Sequence, residues 1–422
     1  GADRWWVATG ILLRILLLFS IPNLSDDFYR FLWDGHLTVA GIHPFAHPPA
    51  YYMDNRIFPA GITPELFAQL NSPQYHTVYP PVCQAVFALA AWCGGENIWA
   101  GVLVLKLFLL AGEVGTIWLL GWGAPPGHPD GGKMGHSPDV MREDGGAHLV
   151  VVGEDAGGAG WAYSAAVAYA LNPLIILEIV GNCHFEGAMI FFLLAGWRAL
   201  ERQKAARAAG WWALATATKL LPLMFLPILW FRLGRQKRLR FGVAFTGACL
   251  LLFLPLLSVL PSMFSSLDLY FRQFQFNGSV YNLMRGLGFL LKGFDPGETL
   301  GPLLGLVTVL GVLMLAYPTP GPSPTGRGGA LPPVSVEVPG VKSPLPVGEG
   351  PGVGSLDPLL FALFLQLTHS ATVHPWYVTV LFALGLGTRW RFPVVWTGLV
   401  ALSYSHYAGG LFRENYWLIA LE

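Results

Sequence analysis

The sequence predicts an all-α, polytopic integral membrane protein, and three observations carry that prediction. First, 54% of the residues are hydrophobic and only 12% are charged, whereas a soluble domain is charged at about a quarter of its positions. Second, apolar runs recur along the whole chain, at residues 5–24, 98–120, 161–180, 241–260, 302–316 and 393–408. Each approaches the ~20 residues that span hydrocarbon. Shorter runs at 82–92, 187–200, 211–230, 359–367 and 377–386 add to these, giving roughly ten to twelve transmembrane helices. Third, the basic residues gather between runs rather than spreading evenly, as cytoplasmic loops do. A large soluble core would not supply so many runs with so few charges between them.

Formal net charge is zero, so bulk charge favours neither nucleic acid nor any other charged partner. Cys83, Cys93 and Cys249 lie in apolar runs and Cys183 beside a polar turn; none has metal-binding spacing, and they read as small hydrophobes. The first run contains Arg14, lacks a small-x-small cleavage site and is followed by further runs, so it reads as a signal-anchor. The chain begins without Met and stops within the apolar stretch Tyr416–Leu421, which predicts a fragment or a chain short of its last span.

Four regions interrupt the apolar pattern. Residues 25–80 are polar, aromatic and rich in His and Pro, and predict an ordered loop. Residues 122–160 are Gly-rich and predict a flexible one. Residues 262–299 mix Tyr270, Phe271, Phe274, Phe276 and Tyr281 with Asn277 and Arg285, predicting an ordered loop against the bilayer. Residues 318–356 are Pro/Gly-rich low complexity, a disordered insertion with no catalytic role.

Orientation follows from the basic clusters. Arg232, Arg235, Lys237, Arg238 and Arg240 form one, and Arg198, Arg202, Lys204 and Arg207 another; both should be cytoplasmic. The 25–80 loop has few basic residues and follows a first span preceded by Arg4, so it should be extracytoplasmic, as should the turn 182–186. Two basic ends on one side require 211–230 to enter and return as two half-helices. Lys219 then marks the tip, where a lysine at membrane depth lines a cavity.

The loop opening Ser25-Asp26-Asp27-Phe28-Tyr29-Arg30 is the most informative stretch. Ser25 suits an N-cap, and Asp26 and Asp27 suit a first helical turn, where amides and dipole favour anions. In such a helix Asp26, Arg30 and Asp34 share one face, while Phe28, Phe31 and Leu32 pack toward the membrane. A carboxylate can take the proton of an acceptor hydroxyl, and an arginine can clamp a phosphate. Taken alone, the same residues also read as a solvated cap with helical ion pairs. His36, His43, His47 and His76 lie in this loop without the spacing of a metal site, which points to loop hydrogen bonding.

Five stretches in order resemble the GT-C superfamily of polytopic glycosyltransferases, particularly bacterial mannosyltransferase-like proteins related to the GPI mannosyltransferases. The segment SDDFYRFLWDGHLTVAGIHPF places an acidic pair directly after the first span. VYPPVCQAVFALA resembles the family's Tyr-Pro-Pro start of the second span, and NPLIILEIVGNCHFEGAM an Asn-Pro span ending in a polar turn. ATKLLPLMFLP resembles a Lys-containing re-entrant pair, and HPWYV a late His-Pro-Trp-Tyr motif. The matches run through nearly the whole chain apart from 122–160 and 318–356.

The resemblance implies a single GT-C-type transmembrane domain with an extracytoplasmic catalytic loop at 25–80. It implies inverting transfer of a hexose, above all mannose, from a polyprenyl-phosphate-sugar donor to a glycan, glycolipid or protein acceptor outside the cytoplasm. No nucleotide sugar, cofactor or obligatory metal is implied. Asp26 or Asp27 would be the general base. Arg30, Lys219 and Arg285 would neutralise the donor phosphate, Asp34 shares their acidic-basic face, and His184 and Glu186 would bond sugar or acceptor, with turn capping as the alternative. His374, with Trp376 and Tyr377, would line the site, unless these aromatics form an interface belt. The rivals are a secondary transporter or lipid flippase, which also uses broken helices, and a non-catalytic subunit of an envelope complex. In a cysteine-free background in intact cells, Asp54→Cys should react with an impermeant thiol reagent and Gln236→Cys should not; the reverse pattern would invert the orientation.

Overall fold

The computed structural model describes residues 2–121, 158–317, 355–407 and 414–422. Among these the chain is helical throughout, with only isolated β-bridges at Phe276 and Asn277 to Thr372. The two Gly/Pro-rich stretches expected at 122–160 and 318–356 lie almost wholly outside the described residues.

Helix α1 (Ala2–Leu17) leads into α2 (Asp27–Val39), the short helices α3 (Pro49–Asp54) and α4 (Pro64–Phe67), and then α5 (Pro81–Gly94) and α6 (Ile98–Gly121). Proline opens α3, α4 and α5, where its missing N–H costs nothing and its φ is already helical. Helix α7 (Gly158–Leu171) stops at Asn172-Pro173. The expected single span at 161–180 is therefore broken there, because Pro173 disfavours helical geometry at the residue before it. Asn172 caps the short α8 (Pro173–Ile175), and a π-helical turn (Ile176–Gly181) follows. After a turn, α9 (Glu186–Glu201) departs at 110°.

Helix α10 (Ala205–Thr218) ends at Lys219, and a 3₁₀ turn (Leu221–Phe225) joins it to α11 (Leu226–Arg232). The break falls at the expected lysine. Helix α12 (Arg235–Phe253) runs through a 3₁₀ segment into α13 (Leu260–Gln273), followed by α14 (Ser279–Lys292) and α15 (Gly297–Ala316). The region expected as a loop at 262–299 is thus mainly helical, and Phe276 pairs its backbone with Ala371 and Val373. Helices α16 (Asp357–His369), α17 (Pro375–Gly385), α18 (Phe392–Leu399) and α19 (Tyr416–Leu421) complete the chain.

Among the described residues three helical stretches are long and apolar enough to cross a membrane: Ile98–Gly121, Arg235–Ser266 and Gly297–Ala316. The bent pair Pro173–Gly181 and Glu186–Glu201 makes four if taken as one span. Others stop short, as α1 does at Leu17, so length alone supports fewer spans than the apolar runs suggest. The outward faces point to lipid all the same. Val243, Leu250 and Leu251 on α12 and Leu303, Val309 and Met314 on α15 are exposed, more continuous apolar surface than a protein in water tolerates. This is an all-α membrane protein.

The inner core joins α2, α5, α6, α9, α10, α16 and α17. Phe28, Phe31 and Leu32, expected to face lipid, are instead buried in it. Phe31 stacks on Phe87 at 4.5 Å and meets Phe185 edge-on, because three aromatic partners inside the bundle offer more contact than acyl chains do. The first loop has a second small core of its own, Trp33, Leu37, Tyr52, Ile62, Leu66 and Leu70. Helix α2 lies against α5 at a glycine: a Cβ on Gly35 would come within 2.2 Å of the Phe87 carbonyl oxygen. Backbone cannot yield there as a flexible side chain would, so Gly35→Ala should destabilise the protein by about 1–3 kcal/mol, read as a lower unfolding midpoint in detergent.

Candidate active site

The candidate site begins where α1 ends. Lys106 of α6 is fully buried, and its ammonium donates to the carbonyls of Leu17 (2.7 Å) and Ser20 (2.8 Å) and to Ser20 Oγ (3.1 Å). The Leu17 carbonyl also accepts from Ser20 N at 3.3 Å and Ser20 Oγ at 2.9 Å, so the lysine joins this helix-end network and fixes where the loop departs. Leu24 N then donates to Asn182 Oδ1 at 3.2 Å, which sets the approach to the acidic pair.

Asp26 occupies the N-cap position of α2 without making a side-chain cap. Ser25, expected to cap the helix, instead accepts from Asp27 N at 3.3 Å. The two carboxylates are joined by Asn71, whose Nδ2 donates to Asp26 Oδ1 at 2.7 Å and to Asp27 Oδ1 at 3.0 Å. Asp27 Oδ2 also accepts from the Tyr79 hydroxyl at 3.3 Å. Asp26 opens onto the cavity while protein crowds its other side. Lost hydration raises its pKa above the usual carboxylate value, the Asn71 hydrogen bond partly offsets this, and the charge of Asp27 adds to it.

Both acids line a cavity of about 1480 Å³. Arg30, Glu186, Lys219 and His374 line it too, with Tyr75, His76, Trp376, Tyr404 and Tyr407. Lys219 Nζ lies 3.0 Å from Glu186 Oε1 and 5.5 Å from the centre of the Tyr79 ring. Part of the lining is apolar or small, Leu221, Met224, Gly301, Gly305, Leu363 and Leu367, and Thr308, Gln366 and His369 lie among these residues on α15 and α16. The cavity therefore combines carboxylates and aromatic residues with aliphatic side chains from the turn after α10 and from α16. Burial pushes His374 down to about 3, against the raising influence of Asp27, and so keeps the imidazole neutral. His76 is likewise lowered, by burial first and by Arg30 second.

The remaining predicted residues separate into distinct positions. Arg30 borders the cavity, but its guanidinium is engaged by Asp34 Oδ1 (2.9 Å) and by the carbonyls of Ser72 (3.4 Å) and Tyr75 (3.1 Å). It braces the loop that carries Asn71 from the cavity's edge. Asp34 is fully buried behind it and accepts from Gln84 at 3.0 Å. Asp26 does not share their ion pair, since it sits before the first helical turn. Arg285 pairs with Asp295 and Gln275 and does not line the cavity. His184 is buried, with Nε2 3.2 Å from Glu178 Oε2 and its ring stacked on Trp376 at 3.7 Å.

Asn71, Tyr79, Tyr404 and Glu178 were not singled out as site residues from the sequence. Tyr79 lies in the Tyr-Pro-Pro segment, and Glu178 is a lone acid in an apolar run, which is a functional signal at membrane depth. Nothing local marks Asn71 or Tyr404.

Residues 1–122 match the family model described as the N-terminal domain of alpha-(1→6)-mannopyranosyltransferase. This stretch includes the acidic pair, Asn71, Tyr79 and Lys106. The chain is 25% identical over 182 residues to alpha-(1→6)-mannopyranosyltransferase B of Corynebacterium glutamicum, covering 43% of this chain and 24% of that one. It is 24% identical over 266 residues to alpha-(1→6)-mannopyranosyltransferase A of Mycobacterium tuberculosis, covering 61% and 43%. A probable alpha-(1→6)-mannopyranosyltransferase of Mycolicibacterium smegmatis aligns at 25% identity over 189 residues, 44% and 27%. The chain thus spans less than half the length of these relatives. Motif order, the family match and the helical membrane fold agree: the chain is similar to the bacterial GT-C-type mannosyltransferases.

Proposed function

We propose that this chain is a glycosyltransferase that moves mannose from a polyprenyl-phosphate donor to a hydroxyl acceptor on the extracytoplasmic side of the bacterial membrane. The observation that carries this reading is the juxtaposition of Asp26 and Asp27, bridged by Asn71, with a cation and aliphatic side chains in one cavity. A polyprenyl-phosphate sugar has those three parts: a sugar, a charged phosphate and a long apolar chain. The relatives' α-(1→6) linkage directs the choice of acceptor to a primary hydroxyl of a mannose residue.

The step is a single displacement with inversion. The acceptor oxygen attacks the anomeric carbon, its proton passes to a carboxylate, and the C–O bond to the phosphate breaks. Asp26 is the base: burial raises its pKa, and it lacks the phenol hydrogen bond that Asp27 accepts from Tyr79. A raised pKa makes a carboxylate a better proton acceptor. Asp27 remains beside it as fixed negative charge for the developing oxocarbenium character of the sugar. Lys219, held at the break after α10 by Glu186, neutralises the departing phosphate. Neutral His374 offers a hydrogen bond to a sugar hydroxyl.

Asp26→Asn keeps shape but cannot take a proton, so transfer of radiolabelled mannose should fall by about 10²–10⁴-fold with protein yield unchanged. Asp27→Asn should lose less. Wild-type rates in both variants would return the pair to a helix-cap role. The same membranes should show no uptake or flipping coupled to substrate, as a transporter would.

The pH dependence has a defined sign. The base works only when deprotonated, so kcat/KM should fall as pH drops through the Asp26 pKa, at a midpoint above the ordinary carboxylate value of 3.8. Asn71→Leu removes a hydrogen bond that lowers this pKa, so the acid limb should move to higher pH. An active Asn71→Leu enzyme with an unmoved limb would argue against Asp26.

A further inference from the structure

Glu178 is a carboxylate in the middle of the apolar segment NPLIILEIVG, 1% exposed. Placing an acid there carries a large desolvation cost unless several partners offset it, and the partners found here all lead to one place. Glu178 Oε1 accepts from Asn182 Nδ2 at 3.2 Å and from the Tyr404 hydroxyl. Its Oε2 faces His184 Nε2 at 3.2 Å, and neither atom is hydrogen-bonded elsewhere among the described residues.

Each partner ends on the cavity. Asn182 holds Leu24 N, two residues before Asp26. Tyr404 lines the cavity directly. His184 stacks on Trp376 at 3.7 Å, Trp376 on His374 at 4.3 Å, and His374 on Phe276 at 4.7 Å. The faces of Trp376 and His374 are therefore covered, and ring edges are what these residues present to the cavity. The rings act as a column whose buried end is anchored by the acid.

The backbone is shaped around this junction. The π-helical turn Ile176–Gly181 carries Glu178, and such turns insert an extra residue where a side chain must be re-aimed. Cys183 adopts φ +64°, a costly conformation for a non-glycine residue. That reversal lets His184 N donate to the Glu178 carbonyl at 3.2 Å. The same residue thus holds His184 through both backbone and side chain.

We propose that Glu178 is a positioning residue for the transfer reaction: one buried carboxylate that sets the approach to the acidic pair, the Tyr404 wall and the orientation of His374. This rests on the transferase reading given above. Its effect passes through other residues, so it should appear in the chemical step rather than in donor capture.

The test is steady-state kinetics of the full chain in nanodiscs with radiolabelled polyprenyl-phosphate mannose, alongside thermal unfolding. Glu178→Gln should lower kcat by about 10²-fold, the scale of a sub-ångström to 1 Å misplacement. Donor KM and unfolding midpoint should change little. Tyr404→Phe should give a smaller loss, and the double variant should lose less than the product of the two, since both act through one junction. Wild-type kcat in Glu178→Gln overturns the proposal, as does fully multiplicative loss. If Glu178→Gln is lost on extraction, Tyr404→Phe and His184→Gln decide: reduced kcat at an unshifted midpoint supports the proposal, and wild-type kcat in both overturns it. The Asp26→Asn and Asp27→Asn variants separate the two levels. If they are inactive while Glu178→Gln runs at full rate, only this inference fails; if they too are fully active, the transferase reading fails and takes it along.

Discussion

The buried ion pair between Arg14 and Glu113 is the interaction on which the site's geometry rests. Both side chains are fully inaccessible and 2.9 Å apart, in helices that a membrane surrounds. Removing one partner of such a pair leaves an uncompensated charge and costs about 3–5 kcal/mol. Here the remaining donors and acceptors are satisfied too. Arg14 donates to the Ala170 carbonyl at 2.6 Å and the Gly10 carbonyl at 3.0 Å, and Tyr169 donates to Glu113 at 2.7 Å. The close approach that makes this possible is a glycine contact, since a Cβ on Gly10 would fall 2.3 Å from the Ala170 carbonyl oxygen. Helices α1, α6 and α7 are therefore locked in register before any loop is considered. Lys106, about two turns along α6 from Glu113, then holds the final carbonyls of α1. The acidic pair starts from a point with little freedom to wander.

A second consequence concerns where the polar groups can be. In hydrocarbon an unsatisfied backbone group costs several kcal/mol, so every break in a helix needs local partners. The breaks at Asn172 and Lys219 are both provided for. Asn172 caps Ile175 N and reaches Thr397, and Lys219 closes α10 through its own N–H to Ala215 while its ammonium meets Glu186. Of these groups, Lys219 and Glu186 line the cavity. The α15 and α16 side of the cavity is mixed, with Thr308, Gln366 and His369 beside Gly301, Gly305, Leu363 and Leu367.

How far the sequence reveals this differs from residue to residue. The place of Asp26 and Asp27 at the cavity is legible because two adjacent acids directly after an apolar run stand out, although a helix cap explains them as well. Lys219 is legible because a lysine beside Pro222 in an apolar stretch has to be explained by a break. The role of Arg30 is not, because helical spacing shows that Asp34 is within reach but says nothing of the Ser72 and Tyr75 carbonyls, which arrive from more than forty residues away. Asn71 is hidden for the same reason. Arg285 misleads because an arginine near aromatics resembles a phosphate ligand until Asp295 is seen to hold it. The apolar runs show the membrane but not the breaks within α7 to α9, where a proline and a π-helical turn divide what composition presents as continuous.

The first loop shows why an adjacent acidic pair at a membrane surface needs a folded segment around it. Two carboxylates side by side repel, and in water they would turn apart. Asn71 holds them together through a single amide, so the segment carrying Asn71 must itself be fixed. Arg30 fixes it from below by binding the backbone at 72 and 75, and the small core around Trp33 and Leu66 fixes it from the side. That core closes over a tight turn at Gly61, φ +80°, where any Cβ would strike the His36 ring at 2.1 Å. The chain thus uses some fifty residues of ordered loop to set one amide against two acids. The geometry of that contact, more than the acids themselves, determines how the two carboxylates stand toward each other.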